Sequence, residues 1–317
     1  MMTQSSSYIS PVELAASVVT LGNFDGFHLG HQALVEAVIK QAESHGCASV
    51  LLTFDPHPAN VLRPEQEIPV LVPISRRVMQ LESAGIDHVI VIEFTRELAE
   101  LSPKEFLETF ILGPLHPVTF VAGPDTRFGK NRAGDTELLR TCGQESGFEV
   151  IQVDPVLDGA EKISSSGLRR LLQAGEVNRA IRWLGRPYDV YGTVVHGDGR
   201  GRTIGIPTAN IDYRKQVIPA LGVYAVMVQF ESNPLQMFPG VANLGQKPTF
   251  EPLTTRKPVL EVHLLEGEHP HLHGQAVRLE FVQRLRAEKR FDGVDALVAQ
   301  IQADIIAART ALEGEAG

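Results

Sequence analysis

The chain has 317 residues, 43% of them apolar and 21% charged, with a formal net charge of −9. That length outgrows a single small core and predicts one large or two modest domains, while the acidic balance argues against the basic field a nucleic-acid binder needs. Two cysteines, Cys47 and Cys142, offer no disulfide framework, no apolar run is long enough to span a bilayer, and the start MMTQSSSYISPVEL lacks the basic and apolar regions of a secretory signal, so a cytoplasmic protein is expected.

In chain order, Val18–Leu21, Val50–Phe54, Val89–Ile92, Val118–Val121 and Val150–Val153 are short apolar runs rich in β-branched residues. They predict buried parallel strands. Helical patterns lie between and after them, at Gln32–Ser44, Ser75–Ala84, Ser102–Ile111, Thr136–Glu145, Ser166–Gln173 and Val177–Trp183. Ser102-Pro103 with Glu105 combines a cap, a first-turn proline and an early acid. This alternation predicts an α/β, doubly wound parallel-sheet domain. Near Gly185-Arg186-Pro187 the pattern changes to strand and turn. Tyr191–Val195, Val223–Phe230, Gly240–Leu244, Leu260–Leu265 and Val277–Leu285 predict a small antiparallel β barrel or sandwich. A last helix, about Gly293–Leu312, places Val294, Leu297, Ile301, Ile305 and Ile306 on one stripe. The expected domains are 1–186 and 187–317.

The stretch GNFDGFHLGH, Gly22–His31, falls between the first strand and the first helix. In open α/β sheets ligands sit beyond the carboxyl ends of the strands, and this is the first such turn. Its glycines let backbone approach a ligand, and the helix start adds N–H groups and a positive dipole end. His28 and His31, three residues apart, suit charge stabilisation at a phosphoryl centre under attack. Half of a metal site, or ordinary polar residues at a helix start, are the alternatives.

Here HLGH resembles the HxGH element of the nucleotidylyltransferase superfamily, shared in looser form with class I aminoacyl-tRNA synthetases. The longer phrase GNFDGFHLGHQALV is similar to bacterial bifunctional riboflavin kinase/FMN adenylyltransferase, or FAD synthetase, and the similarity runs along almost the whole chain. It implies a ligand-binding turn of Gly22, Asn23, Phe24 and Asp25, with His28 and His31 catalytic. TFDPHP (Thr53–Pro58) brings Asp55 and His57 to the same sheet edge, where the resemblance implies the flavin side of the site. VAGPDTRFGKNRAGD (Val121–Asp135) supplies Asp125 and Arg127, with Lys130 and Arg132 as further cations. Thr126 stands where the family usually carries an aromatic residue, and Pro124 is atypical. ISSSGLRR (Ile163–Arg170) resembles the family's SSTxxR element, implying that Ser164, Ser165 and Arg169 hold the triphosphate of ATP.

The second half has its own cluster, VVHGDGRGRTIGIPTANI (Val194–Ile211). Gly197, Gly199, Gly201 and Gly205 would permit a flap over phosphates. Thr208 and Asn210 offer neutral oxygens two residues apart, on one face if the stretch is extended, suited to Mg²⁺ and ATP phosphates. A long hairpin loop with a polar strand start is the alternative. GRGRTIGIPTAN resembles the riboflavin kinase motif, and LGVYAV, PGVANLGQKPTF and LEVHLLE resemble further family phrases. The last of these implies that Glu261 is a catalytic base. RFDGVDALVAQIQADI resembles the terminal helix, with Phe291 beside the flavin. HPHLH, His269–His273, reads as a hairpin turn with incidental histidines, and transition-metal binding by His269, His271 and His273 is the alternative. The resemblance implies riboflavin, FMN and ATP as substrates, Mg²⁺ as cofactor, and neither nucleic acid nor membrane as partner. Self-association is left open. The rivals are another transferase of the superfamily with an unrelated appendage, and a flavin-binding regulator without catalysis.

Overall fold

A computed structural model describes residues 13–197, 201, 204–213, 215–246, 258–267 and 272–313. The chain divides into two compact units, Met1–Ser165 and Ser166–Gly317.

The first unit is a five-stranded parallel sheet of order β3-β2-β1-β4-β5. In chain order it comprises β1 (Ser17–Leu21), α1 (Leu29–His45), β2 (Ala48–Asp55), α2 (Pro58–Leu62), α3 (Ile74–Ser83), β3 (His88–Glu93), α4 (Arg96–Ala99), α5 (Pro103–Leu107), α6 (Gly113–Leu115), β4 (Pro117–Ala122), α7 (Thr136–Ser146) and β5 (Glu149–Gln152). A small antiparallel ribbon follows, β6 (Leu157–Asp158) with β7 (Glu161–Lys162). β1 is buried along its whole length at the centre of the sheet, between β2 and β4. Its side chains alternate between two cores, which is why the run shows no polar alternation. Val19 and Leu21 join Phe106, Ile111 and Phe120 on one face, and Val18 joins Val35, Val38 and Leu81 on the other.

The predicted helix over Ser102–Ile111 is interrupted. α5 has the full capping box between Ser102 and Glu105, then passes into a π-turn at Glu108–Leu112 before α6. Gly113-Pro114 follows at once, and Pro114, with no N–H to give the Phe110 carbonyl, interrupts the regular helix there while Ile111 packs into the core.

Two helices open the second unit, α8 (Ser165–Ala174, its first residue at the boundary) and α9 (Val177–Leu184). The compact units therefore divide ahead of these helices, whereas the change of pattern in the sequence lies after them. A closed barrel of order β10-β11-β12-β9-β8-β13 follows. Its strands are β8 (Tyr188–Val195), β9 (Ala209–Asp212), β10 (Gly222–Phe230), β11 (Asn233–Gly245), β12 (Val259–Leu264) and β13 (Ala276–Ala287). All neighbouring pairs are antiparallel. Tyr224, Ala242, Leu244, Leu260, Leu279 and Phe281 are all fully buried, as the filling of a small barrel requires.

The terminal helix α10 (Val294–Glu313) packs on the outer face of the barrel, where Ile305, Ala308 and Leu312 meet Val223, Ala225 and Val241. Arg286 on β13 grips Asp304 of α10 through both carboxylate oxygens. The expected stripe is corrected at two places: Val294 is 59% and Ile306 67% exposed. Asp304 and Ala308 occupy the buried face instead, since one residue of helix turns the side chain by about 100° and Ile306 cannot share the face of Ile305.

Candidate active sites

The first candidate site lies at the carboxyl end of β1. The chain turns there through three positive-φ residues, Phe24 (47°), Gly26 (91°) and Phe27 (44°). The turn folds the Phe24 ring into the core and back over Gly22. A Cβ at residue 22 would stand 3.0 Å from that ring. Phe24 thus lies beneath the site, with its ring centroid 5.1 Å from that of His31.

His28 is the N-cap of α1, and its Nδ1 accepts the N–H of His31. The two imidazoles stack, with centroids 3.7 Å apart and planes 14° from parallel. Because Nδ1 of His28 is an acceptor, the ring proton resides on Nε2, which makes Nε2 the available donor. Burial pushes the His28 pKa down to about 4. Burial, with help from His28 and Arg77, holds His31 well below the ordinary histidine value. Both rings are neutral at physiological pH and donate as N–H dipoles. Gly30 has a specific task here. A Cβ on it would come within 3.2 Å of the His28 ring and 3.6 Å of the Ile163 carbonyl oxygen.

Asp25 is fully buried, and its carboxylate accepts from the N–H groups of Leu71 and Val72 and pairs with Arg77. The structure therefore places this carboxylate under the turn. The Asn23 carbonyl accepts from Thr53 Oγ1 and Arg77 Nη1. His57 caps α2 by accepting the Ala59 N–H at Nδ1, so its Nε2 carries the proton, 3.4 Å from the Asn23 side-chain amide. A protonated Nε2 requires an acceptor. Turning the Asn23 amide puts Oδ1, otherwise buried without a partner, on His57 and leaves Nδ2 as the group with no partner. Asp55 ends β2 at the same edge.

The serine-rich element returns to this turn, because Ser165 Oγ donates to the Asp25 carbonyl. Ser164 is half-buried just before it, and Arg169 is half-buried on α8. Asp125, in the loop after β4, forms an ion pair with Lys162 at the end of β7. Lys162 also acts electrostatically on His28. Arg127 is exposed and donates to the carbonyl of Thr126, whereas Lys130 pairs with Glu100.

The second candidate site belongs to the barrel. Asn210 on β9 stands directly opposite Glu261 on β12, and Glu261 directly opposite Asn243 on β11. Residues opposed in register share a face, so the three form a row. Leu260 and Val262 point inward, at 0% and 2% exposure, and the half-buried Glu261 takes the other face. Thr208 is exposed just ahead of β9, while Asn210 is buried. A Cβ on Gly197 would lie 2.0 Å from Asn210 Nδ2, so the loop's backbone lies against that amide. Gly201 is similarly tight against the Ile206 carbonyl. Gly199, His269 and His271 lie outside the described residues. His273 stacks on His196, with centroids 3.6 Å apart. Among the described residues, no three His, Cys, Asp or Glu side chains gather in one cluster.

Three residues of these sites escaped the sequence reading. Lys162 stands two residues ahead of Ser164 and carried no separate signal. Arg77 did carry one, as an arginine on the face of α3 that buries Leu81, where a charge is rare unless paired. Asn243 becomes visible only through strand register.

Fold and sites together define a nucleotidylyltransferase-like α/β unit joined to a kinase-like barrel. A family model for FAD synthetase matches residues 10–167 and one for riboflavin kinase matches residues 184–312. The bifunctional riboflavin kinase/FMN adenylyltransferase of Bacillus subtilis (strain 168) is 37% identical over 294 residues, covering 92% of this chain and 91% of that one. Its counterpart in Escherichia coli (strain K12) is 36% identical, with 92% and 91% covered. A solved structure described as a macrolide-efflux protein from Streptococcus pneumoniae has a TM-score of 0.84 at 33% identity, covering 96% of each chain. The chain belongs to the bifunctional riboflavin kinase/FMN adenylyltransferase family. Among the described residues, no helix is long and apolar enough to cross a membrane.

Proposed function

We propose that the two candidate sites divide the family's two reactions between them. The chain is an enzyme of FAD biosynthesis, with riboflavin kinase and FMN adenylyltransferase activities. The barrel phosphorylates riboflavin with ATP to give FMN. The α/β unit joins FMN to the adenylyl group of ATP, giving FAD and pyrophosphate. The observation that carries the assignment is the stacked, neutral pair of buried His28 and half-buried His31 at the N-terminus of α1.

In the adenylyltransferase step the FMN phosphate attacks the α-phosphorus and pyrophosphate leaves. Negative charge accumulates on the non-bridging oxygens. The Nε2–H of His28, together with His31 and the N–H groups at the start of α1, is arranged to stabilise that charge without reorganising. Asn23 Nδ2 is a further donor oriented by His57. Ser164, Ser165, Arg169 and Lys162 hold the triphosphate, with Asp125 orienting Lys162, and Asp55, His57 and Arg127 line the flavin side. Asp25, Phe24 and Gly22 shape the turn from below. Thr126, buried at 7%, supplies a short side chain beside that loop where an aromatic is usual.

At the barrel, Glu261 accepts the proton of the ribityl 5′-hydroxyl as that oxygen attacks the γ-phosphorus. Gly197, Gly199 and Gly201 cover the phosphates. The donor set fits Mg²⁺, since Thr208 and Asn210 present hard neutral oxygens and the cross-strand Glu261 supplies nearby negative charge. When bound there, the ion would neutralise phosphate charge. Both reactions take small molecules as substrates, neither nucleic acid nor membrane is a partner, and a cytoplasmic location suits them. The functional boundary lies near residue 186, with α8 and α9 as the segment between the matched family regions.

The test is a pair of variants. His28→Ala abolishes FAD formation from FMN and spares FMN formation, and Glu261→Gln does the reverse. Loss of both activities in either folded variant contradicts the assignment.

A further inference from the structure

We infer that Arg77 is a positioning residue for adenylyl transfer, setting from beneath the main-chain turn that carries Asn23 and delivers His28 and His31. The inference rests on the proposed placement of that reaction at His28.

Arg77 is 2% exposed and its partner Asp25 1%. Its guanidinium donates through Nη1 to the carbonyls of Asn23 (2.9 Å) and Phe54 (3.5 Å), and through Nη2 to Asp25 (3.4 Å) and the Val72 carbonyl (3.3 Å). One side chain thus ties the β1–α1 turn, the end of β2 and the segment before α3. Asp25 completes the brace by accepting from Leu71 and Val72, and its carbonyl receives Ser165. The brace touches neither histidine through a hydrogen bond. It sets the turn on which both depend, and the turn's positive-φ residues show that it would not adopt this path unaided. A planar fork with several donors is required, and a lysine at residue 77 cannot reach these separated acceptors together.

A brace that only neutralised Asp25 would be replaceable by removing both charges. Arg77 also acts on His31: burial, His28 and Arg77, in that order, hold the ring neutral. His28 in turn faces Asp25 and Lys162. Without the guanidinium, His31 takes up a proton at higher pH.

The experiment compares Arg77→Lys and the charge-balanced pair Asp25→Asn with Arg77→Met in the full chain. Riboflavin phosphorylation by the same protein controls for the barrel, and a thermal melt with limited proteolysis controls for folding of the α/β unit. FAD formation from supplied FMN is expected to fall about 100-fold in kcat, as a displacement of about 1 Å at a reacting centre does. The KM for ATP should change less than the rate, and the charge-balanced pair should not restore the rate. The inference is overturned if that pair recovers wild-type kcat, or if the loss in Arg77→Lys merely follows a fall in melting temperature and in protease resistance of the α/β unit. A His28→Ala chain that still makes FAD would instead overturn the underlying placement of the reaction, which separates the two failures.

Discussion

Replacing Gly30 by alanine should separate stability from catalysis in one methyl group. Gly30 is the second residue of α1, and no left-handed backbone conformation is required of it. On helix propensity alone the change stabilises, by up to about 1 kcal/mol and less so close in to the helix end. The new Cβ would stand 3.2 Å from both Cε1 and Nδ1 of His28, a few tenths of an ångström too close. The ring must therefore tilt out of its stack on His31 and away from the His31 N–H it accepts. Loss of one preorganised donor costs about 10²–10³ in kcat, roughly 3–4 kcal/mol of transition-state stabilisation. The expectation is a 10- to 1000-fold fall in FAD formation, with an unchanged or raised melting temperature and undiminished FMN formation. Stopped time courses resolving the flavins, beside a thermal melt, measure all three. Wild-type FAD formation in Gly30→Ala would refute the role given to the His28 ring position.

Gly197→Ala should act in the opposite domain. Its Cβ would overlap Asn210 Nδ2 at 2.0 Å, so FMN formation should fall by about 100-fold while supplied FMN is still converted to FAD. Equal loss of both activities would show unfolding instead. Acid should destabilise the protein through His28. Its folded value of about 4 lies below the ordinary 6.5, so the unfolded chain binds more protons between these values and stability falls as pH falls from 6.5 towards 4. The group contributes roughly 2 kcal/mol of that loss by pH 5. Denaturant melts at pH 7 and pH 5 should show a shallower dependence for His28→Gln, and parallel curves would contradict the buried neutral ring.

The order of elements was readable because each strand of the first unit is an uninterrupted β-branched run and each barrel strand is bounded by turn residues. The π-turn at Glu108–Leu112 was not placed by period alone, although Gly113-Pro114 just beyond it is the residue pair that interrupts a regular helix. β9 was visible only as a conditional extension of Thr208 and Asn210, too short and too polar to read as a strand. Val294 and Ile306 illustrate a different limit. Period alone cannot say which part of a broad apolar stripe meets the barrel, and the Arg286–Asp304 ion pair takes a place that apolar pattern reserved for isoleucine. At the first site, the motif located the right loop but ranked its members alike. Geometry separates them: His28 and His31 form the stacked pair, while Phe24 and Asp25 turn into the core. Asn243 joined Asn210 and Glu261 only through long-range register, which no local spacing encodes.

The most direct test of two reactions on one chain is chromatographic. The purified protein is incubated with riboflavin, ATP and Mg²⁺, and the flavins are resolved over time. The account predicts that FMN rises first and then declines as FAD accumulates. Flavin held by the protein without any product would contradict it and identify a flavin-binding regulator, and FMN that never proceeds to FAD would remove the reaction assigned to His28 and His31.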